Sequence, residues 1–249
     1  MLQAPEFRPP GDALAGRTIL ITGPNGALGD AAAKACAAAG ARLVLLGRRV
    51  PKLNRLCDAI EASGAQAPQV YPLDLEGAGP DDYAQLAETL QAECGGLQGL
   101  LHCAAEFKGL ASIENSDPVD LLRALHVNLA APMLLTRACL PLLRQAADAA
   151  VVFVLDDAAR VGRAFWGGYG IAKQGLAGLI SVLHDETETS AVRVQGLRPG
   201  PMRSALRSRA YFAENPGEVA EAAHFAPACV HLLSYAGAAT RGRVLELEA

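Results

Sequence analysis

At 249 residues, 51% of them hydrophobic, the chain can bury the core of one large domain, and a single domain over 1–249 is the expectation. A net charge of −4 with no local Lys/Arg cluster offers no basic field to a phosphate backbone, which argues against nucleic acid as a partner. No run approaches eighteen apolar residues, so no membrane partner is expected either. The first segment, residues 1–16, holds Pro, Glu and Asp where a signal peptide needs a basic start and an apolar run; it reads as a surface arm.

Arg17 to Thr22 (RTILIT) reads as a strand, followed by the glycine-rich turn Gly23-Pro24-Asn25-Gly26-Ala27-Leu28-Gly29 and an alanine-rich helix to about Ala39. Ala41 to Leu46 forms a second strand, Pro51 to Ala62 a helix, Gln69 to Leu73 a third strand, Asp81 to Glu93 a helix and Leu97 to His102 a fourth strand. Pro118 to about Ala146 is mostly helical, with Pro132 and Pro141 expected to bend or divide it. Strand five (Val151 to Leu155) leads into a long helix ending near Thr189, Val192 to Leu197 gives strand six, and Pro199-Gly200-Pro201 stops it. An irregular segment, 202–218, expected to be the substrate loop, precedes a helix expected from Val219 to Leu233, and Arg243 to Leu247 closes the chain as a strand. Short apolar strands alternating with helices imply an α/β fold: one Rossmann-type doubly wound domain, a mostly parallel sheet of about seven strands with helices on both faces. Such a sheet binds its ligand at the carboxyl ends of the strands, where the strand order reverses.

The strand, glycine turn and helix form an arrangement that presents free N–H groups and a positive helix end to a pyrophosphate. Gly23 would make the tight turn, Gly26 would let the backbone approach the ligand, and Gly29 would let helix and strand pack closely. The second strand ends Gly47-Arg48-Arg49, where an NAD site usually carries an acid for the ribose hydroxyls. A missing acid beside two arginines favours NADP(H), whose 2′-phosphate a guanidinium can pair with. Asp74 either accepts from the adenine amino group or caps the strand end.

Tyr169 and Lys173 stand at i and i+4, on one helix face, where a cation beside a phenol could produce an acid and base working near neutral pH. An ordinary amphipathic helix would show the same pair. Six widely spaced cysteines without a C-x-x-C pair and five scattered histidines read as buried thiols in a reducing cytosol and structural imidazoles. No metal site is assigned, and a cytoplasmic location is expected.

Placed together, Thr22 to Gly29 (TGPNGALG), Asp74-Leu75 in LDL, Asn128 in HVN, Y-x-x-x-K at Tyr169 and RPG at Pro199 resemble the short-chain dehydrogenase/reductase family over nearly the full chain. The GRAFWGGYGIAK segment and the N-terminal arm look most like its bacterial YciK-type oxidoreductases. The resemblance implies that Tyr169 is the proton donor or acceptor, that Lys173 holds the nicotinamide ribose and lowers the phenol's pKa, and that Asn128 supports a proton-relaying water. It also implies that Pro199, Gly200, Met202 and Ser204 cradle the nicotinamide and pyrophosphate, that Asn25, Leu28, Leu75, Cys103 and Ala104 line the cofactor groove, and that the chain forms a homodimer or homotetramer. The implied substrate is a small, partly apolar carbonyl or alcohol, with Glu106, Phe107, Phe165, Trp166, Met202, Tyr211 and Phe212 as pocket candidates.

Three departures stand out. The glycine motif is T-G-x-x-G-x-x-G rather than T-G-x-x-x-G-x-G, and the family's N-A-G after strand four is Cys103-Ala104-Ala105. Thirteen residues before the tyrosine, Asp156 replaces the serine whose hydroxyl, by the resemblance, donates to the substrate carbonyl, and no Ser or Thr occurs from Arg137 to Ile180, so no small register shift restores a hydroxyl. An ionised carboxylate accepts hydrogen bonds only and would oppose charge developing on the carbonyl oxygen. Two unit charges about 4 Å apart at an effective dielectric near 20 interact by roughly 4 kcal/mol, about three pKa units. Three arrangements remain open: a protonated Asp156 that donates, an Asp156 neutralised by Arg160 or Arg163, or one turned outward to solvent. Function is correspondingly open between an NADP(H)-dependent oxidoreductase and a non-catalytic dinucleotide-binding member of the same family.

Overall fold

The computed structural model describes residues 2–3 and 7–248, with side chains from residue 7 onward. Strands are Leu2–Gln3 (β1), Thr18–Thr22 (β2), Arg42–Gly47 (β3), Gln69–Pro72 (β4), Gly99–His102 (β5), Ala149–Val154 (β6), Val192–Arg198 (β7) and Val244–Glu248 (β8). They form one sheet in the order β1-β8-β7-β6-β5-β2-β3-β4, with every pairing parallel. Every residue of β2 and β5 is buried, which is why these runs are apolar without alternation.

Helices Ala27–Ala38 (α1), Val50–Ala62 (α2) and Ala226–Leu233 (α9) cover one face with a core that includes Ile19, Ala32, Leu43, Leu53, Leu101 and Phe225. Helices Pro80–Cys94 (α3), Pro118–Leu125 (α4), Ala131–Leu143 (α5) and Gly167–Thr187 (α7) cover the other, around Leu20, Tyr83, Leu100, Leu135, Phe153 and Ile180. The sheet reverses direction of growth between β2 and β5, opening a crevice at their carboxyl ends.

Four expectations are corrected. The N-terminal arm is more than a surface feature. Leu2–Gln3 pairs with Leu247 and Glu248 as an eighth strand, Leu14 is fully buried, and Phe7 lies 4.8 Å from the His231 ring. An extra strand there satisfies backbone groups that β8 would otherwise leave bare at the edge. Residues 1 and 4–6 of the arm lie outside the described residues.

Secondly, of the two prolines only Pro132, in the first turn of α5, falls at a division of the long helix; Pro141 lies inside α5, which continues through it to Leu143. What divides α4 from α5 is a π-turn, His126–Ala130, in which the Ala131 N–H reaches back five residues to the His126 carbonyl. Pro132 has no N–H to offer the carbonyl of Asn128, four residues before it, so the widened turn falls where the ordinary ladder is already interrupted.

Thirdly, the helix expected from Val219 starts later. Val219 and Ala220 are extended, Ala220 bridges to Met202, a 3-10 turn covers Ala222–Phe225, and only then does α9 begin. Pro227, in α9's first turn, cannot donate to the carbonyl four residues back, so no α-helix could run through it with its ladder intact. Fourthly, segment 202–218 is partly ordered: Ser204 caps a short helix, Ala205–Ala210 (α8), accepting from the Arg207 N–H at 3.1 Å. Glu214 then holds the Arg207 guanidinium through two contacts of 2.6 Å.

The rod Pro118–Leu143 is by length and composition apolar enough to cross a bilayer, but it packs through α5 on α3 and through α4 on α7, as a core helix does.

Candidate active site

A cavity of about 410 Å³ follows the carboxyl ends of the central strands, from the glycine turn after β2 to the aromatic cluster beside α7. Its walls include every residue given a site role above except Thr22 and Asn128, which stand behind it fully buried, the exposed Arg163, and the aromatics Phe165 and Phe212.

At the first end, the backbone does most of the shaping. Gly23 has φ +64°, and a Cβ there would lie 2.5 Å from the Ala104 Cα. At Gly29 a Cβ would lie 2.3 Å from the Gly23 carbonyl oxygen, so both positions demand glycine. Thr22 Oγ1 accepts from the Ala104 N–H at 3.2 Å and ties the turn after β5 to the turn after β2. Gly26 caps α1 without a side chain, leaving the first-turn N–H groups open toward the cavity. This cradle fits a dinucleotide pyrophosphate.

Gly47, Arg48 and Arg49 line the same end. A Cβ at Gly47 would meet only ordinary contacts, 3.5 Å to Leu53 and 3.8 Å to Asn25, so the absence of an acid there is not imposed by space. Arg48 is only loosely held, 3.4 Å from Asp74 and 3.6 Å from Glu76, with about half of its side chain exposed. Asp74 meanwhile accepts from the Glu76 N–H at 3.2 Å, capping the turn after β4. That bond takes one of its oxygens, and the other meets only the loose Arg48 contact, so the cap leaves acceptor capacity facing the cavity.

At the other end, α7 carries Tyr169 and Lys173 inward, 5% and 6% exposed. Two small helical residues make this possible: a Cβ at Gly170 would strike the Val161 carbonyl at 2.1 Å, and one at Gly168 the Leu121 carbonyl at 2.8 Å. Lys173 Nζ donates to the Val154 carbonyl at 2.8 Å and lies 5.7 Å from the Tyr169 ring centroid. Burial lowers its pKa to about 8, against a partial lift from Asp156. Asn128, in the π-turn, is held from both sides. Its amide donates to the Glu106 and Ala124 carbonyls at 2.8 Å each, and its oxygen accepts from the Glu106 N–H at 3.1 Å. The side chain braces the loop after β5 against α4.

Asp156 faces inward. The Tyr169 hydroxyl donates to its Oδ2 at 2.7 Å, and Arg160 pairs with its Oδ1. Of the three arrangements left open, the structure shows the carboxylate paired with Arg160. Asp157, next in the chain, caps the four-residue helix Ala158–Val161 (α6) by accepting from the Ala159 and Arg160 N–H groups, which fixes Arg160 one turn beyond Asp156. The Arg198 Nε donates to the Asp156 carbonyl at 3.0 Å and anchors the loop to β7. The phenol is accordingly pushed well above its ordinary pKa, first by burial and then by the Asp156 charge and hydrogen bond. That is the reverse of the activation implied for Lys173.

Phe107, Trp166 and Tyr211 wall this end, with Phe107 and Trp166 centroids 5.3 Å apart. Phe165 and Phe212 point away, 56% and 92% exposed. Within the segment 202–218 expected as the substrate loop, the individual residues Leu206, Arg207, Arg209 and Ala210 are not readable from sequence; α8 brings them over the cavity mouth, and the signal for that helix is Ser204, a good cap ahead of a short helix-forming run. His102 is a structural residue, bonded to Thr136 at 2.9 Å and stacked on Phe153, its pKa lowered to about 3 by burial and then by Lys173.

A pyrophosphate cradle and a tyrosine–lysine pair at opposite ends of one crevice in a parallel sheet define a Rossmann-type dinucleotide-binding protein. The chain belongs to the short chain dehydrogenase family, whose model matches residues 17–214. It is 32% identical over 227 residues to the uncharacterized oxidoreductase YciK of Escherichia coli (strain K12), covering 91% of this chain and 90% of that one. A candidate short chain dehydrogenase from Pseudomonas syringae superposes with a TM-score of 0.93 at 37% identity, covering 96% of this chain and 98% of the other. Another, from Escherichia coli CFT073 and complexed with NADPH, gives a TM-score of 0.92 at 32% identity over 96% and 99% of the two chains. The resemblance to YciK-type oxidoreductases is therefore real, and so is the single doubly wound domain.

Proposed function

We propose that the protein is an NADP(H)-dependent short-chain oxidoreductase acting on a partly apolar carbonyl or alcohol, with turnover held down by Asp156. The observation carrying this reading is one continuous cavity that joins the glycine cradle to the Tyr169 hydroxyl. Arg48 and Arg49 without an acid at Gly47 support NADP(H), as does the NADPH complex of the relative from Escherichia coli CFT073.

Bound in the cradle, the dinucleotide supplies or takes the hydride at its nicotinamide ring. Tyr169 holds the proton that the reduced oxygen must gain, and Lys173 holds positive charge beneath the phenol ring. Asn128 fixes the loop that carries the cavity wall opposite them. Phe107, Trp166 and Tyr211 exclude water from the reacting carbon and favour an apolar body on the substrate.

One observation favours a second reading, a non-catalytic dinucleotide-binding protein: the Tyr169 proton is already committed to Asp156. We further propose pairing of two or four copies through α4, α5 and α7, which expose Val119, Leu122, Met133, Ile171 and Val182, and a cytoplasmic location, in keeping with six free thiols.

Fluorescence titration with NADPH and NADH, followed by NADPH oxidation over a panel of ketones, aldehydes and quinones, tests the reading. NADPH should bind more tightly than NADH and be oxidised slowly. Equal affinities would remove the cofactor assignment; tight binding with no oxidation of any substrate would establish the second reading; rapid turnover would show that Asp156 does not restrain the site.

A further inference from the structure

We propose that the Arg160 guanidinium, docked beside Tyr169 on the shared Asp156 carboxylate, donates the second hydrogen bond to the reacting oxygen, replacing the hydroxyl this chain lacks. The inference rests on the oxidoreductase reading.

A carbonyl oxygen that takes a hydride's worth of charge needs donors aimed at it. Tyr169 is one. A carboxylate in place of the serine has nothing to give. Among the cavity-lining cations, Lys173 is spent on the Val154 carbonyl, and Arg207 is held by Glu214. Arg209 reaches the Phe107 carbonyl at 2.8 Å. Arg160 alone shares a partner with the phenol: its Nη2 pairs with Oδ1 of the carboxylate whose Oδ2 accepts from the Tyr169 hydroxyl.

Its donors are not exhausted. Nη2 pairs with Asp156, Nε is buried without a partner, and Nη1 bonds to no protein group among the described residues. The guanidinium is also positioned before any substrate arrives. Its Cζ lies 5.8 Å from the Trp166 ring centroid and 6.0 Å from that of Tyr211, and the Asp157 cap fixes the backbone beneath it. A guanidinium in a fixed place costs little further ordering when it meets an oxygen, and its hydrogen bond is charge-assisted. On this account Asp156 has two jobs, holding Arg160 in place and orienting the phenol, while its charge is balanced by the group it holds.

The step balances with the groups named. In reduction the carbonyl carbon gains the hydride, the π pair moves onto oxygen, and that oxygen takes the Tyr169 proton, which water then replaces. The carbonyl compound is reduced to the alcohol, and NADPH, the hydride donor of the reading above, is oxidised. Arg160 keeps its protons throughout.

The test is single-turnover oxidation of NADPH by phenanthrenequinone with protein in excess, comparing Arg160→Met in the parent and in an Asp156→Asn background. NADPH affinity is measured beside it, and quinone binding is read from quenching of Trp166, the chain's single tryptophan. Arg160→Met should slow hydride transfer about 10²-fold in both backgrounds, the typical cost of one lost oxyanion donor. NADPH affinity should hold within about threefold and quinone affinity should fall far less than the rate, because the lost bond strengthens only as charge develops. Arg160→Lys should retain an intermediate rate.

The Asp156→Asn background separates donation from neutralisation, since the amide oxygen still accepts from Arg160 but carries no charge to neutralise. If Arg160→Met costs nothing in that background, Arg160 merely balances Asp156 and the proposal is overturned. Loss of NADPH binding together with the rate would mark Arg160 as structural and also overturn it. A parent protein that binds NADPH yet never oxidises it defeats the oxidoreductase reading itself, and this inference with it.

Discussion

The two ends of the cavity are built from different materials. At the cofactor end the shape comes from backbone: glycines at 23 and 29 that tolerate no Cβ, and a helix start left open by Gly26. At the reacting end it comes from charged and aromatic side chains, where Asp156 binds both the phenol and a guanidinium. A backbone cradle depends on spacing and survives side-chain drift. A side-chain site can be rewired by one substitution while the fold around it stays the same, and Asp156 is such a rewiring.

The sharpest way to break the comparison is to remove the phenol. Tyr169→Phe should lower single-turnover hydride transfer by about 10²–10⁴-fold, the usual share of a positioned proton donor. NADPH affinity should stay nearly unchanged, because the cradle lies at the other end. A rate that survives would take Tyr169 out of the mechanism.

The complementary break is at the cradle. Gly29→Ala places a Cβ 2.3 Å from the Gly23 carbonyl oxygen, with backbone on every side to resist it. Overpacking of this kind costs about 1–3 kcal/mol, and in a chain this size each kcal/mol lowers Tm by about 2–4 °C. NADPH affinity should fall with it, by tenfold or more. A thermal melt and a titration unchanged by the substitution would show that the turn relaxes more easily than its contacts indicate. Gly47→Asp makes the opposite kind of change, since a Cβ fits there. It should leave Tm alone but turn the preference toward NADH, by placing an acceptor near the ribose hydroxyls and a negative charge near any 2′-phosphate. Unaltered selectivity in paired NADPH and NADH titrations would mean that Arg48 and Arg49 do not face the 2′ position.

How far each end could be read from sequence follows from the same contrast. Strand β2, its glycine turn and α1 are local features, and the sequence places them within a residue or two. The π-turn at His126–Ala130 is harder: Pro132 marks where the ladder is interrupted but not that the turn widens, and Pro141 lies inside α5 without ending it. Pro227 carries the signal for the late start of α9. At the reacting end, the spacing of Tyr169, Lys173 and Asp156 was legible, but side-chain direction was not. Periodicity cannot say that Phe165 turns outward with φ +76° or that Phe212 is almost fully exposed. Nor could it choose between Arg160 and Arg163 for Asp156; that was decided by the Asp157 cap, which starts a helix just long enough to bring Arg160 back.

Asp156→Ser should sharpen the reacting end rather than break it. It restores a neutral donor and removes the charge that lifts the Tyr169 pKa, so transfer should rise by about tenfold, the modest scale of relieving one unfavourable charge near a solvated cavity. No gain would show that the Asp156 charge does not hold turnover down, against the proposed function.

The smallest effect is in the pH profile, and its sign separates Lys173 from Tyr169. Burial holds Lys173 near pKa 8, so its ammonium is present below that pH and lost as pH rises through it, whereas Tyr169, held well above 10, stays protonated across the same range. Reduction needs both the phenolic proton and the positive charge beneath the ring, so the parent's single-turnover rate should be flat at neutral pH and decline above about 8. In Asp156→Ser the carboxylate that supports the ammonium is gone, and the decline should begin at lower pH. Stability carries the same signature: between 8 and the ordinary lysine value of 10.5 the unfolded chain holds a proton that the folded Lys173 has released. Lys173's own contribution to stability therefore rises with pH across that window. In thermal melts the parent should gain Tm relative to Lys173→Met as pH rises across that window, because the burial penalty of the ammonium disappears; a difference independent of pH would place the lysine's titration outside the window.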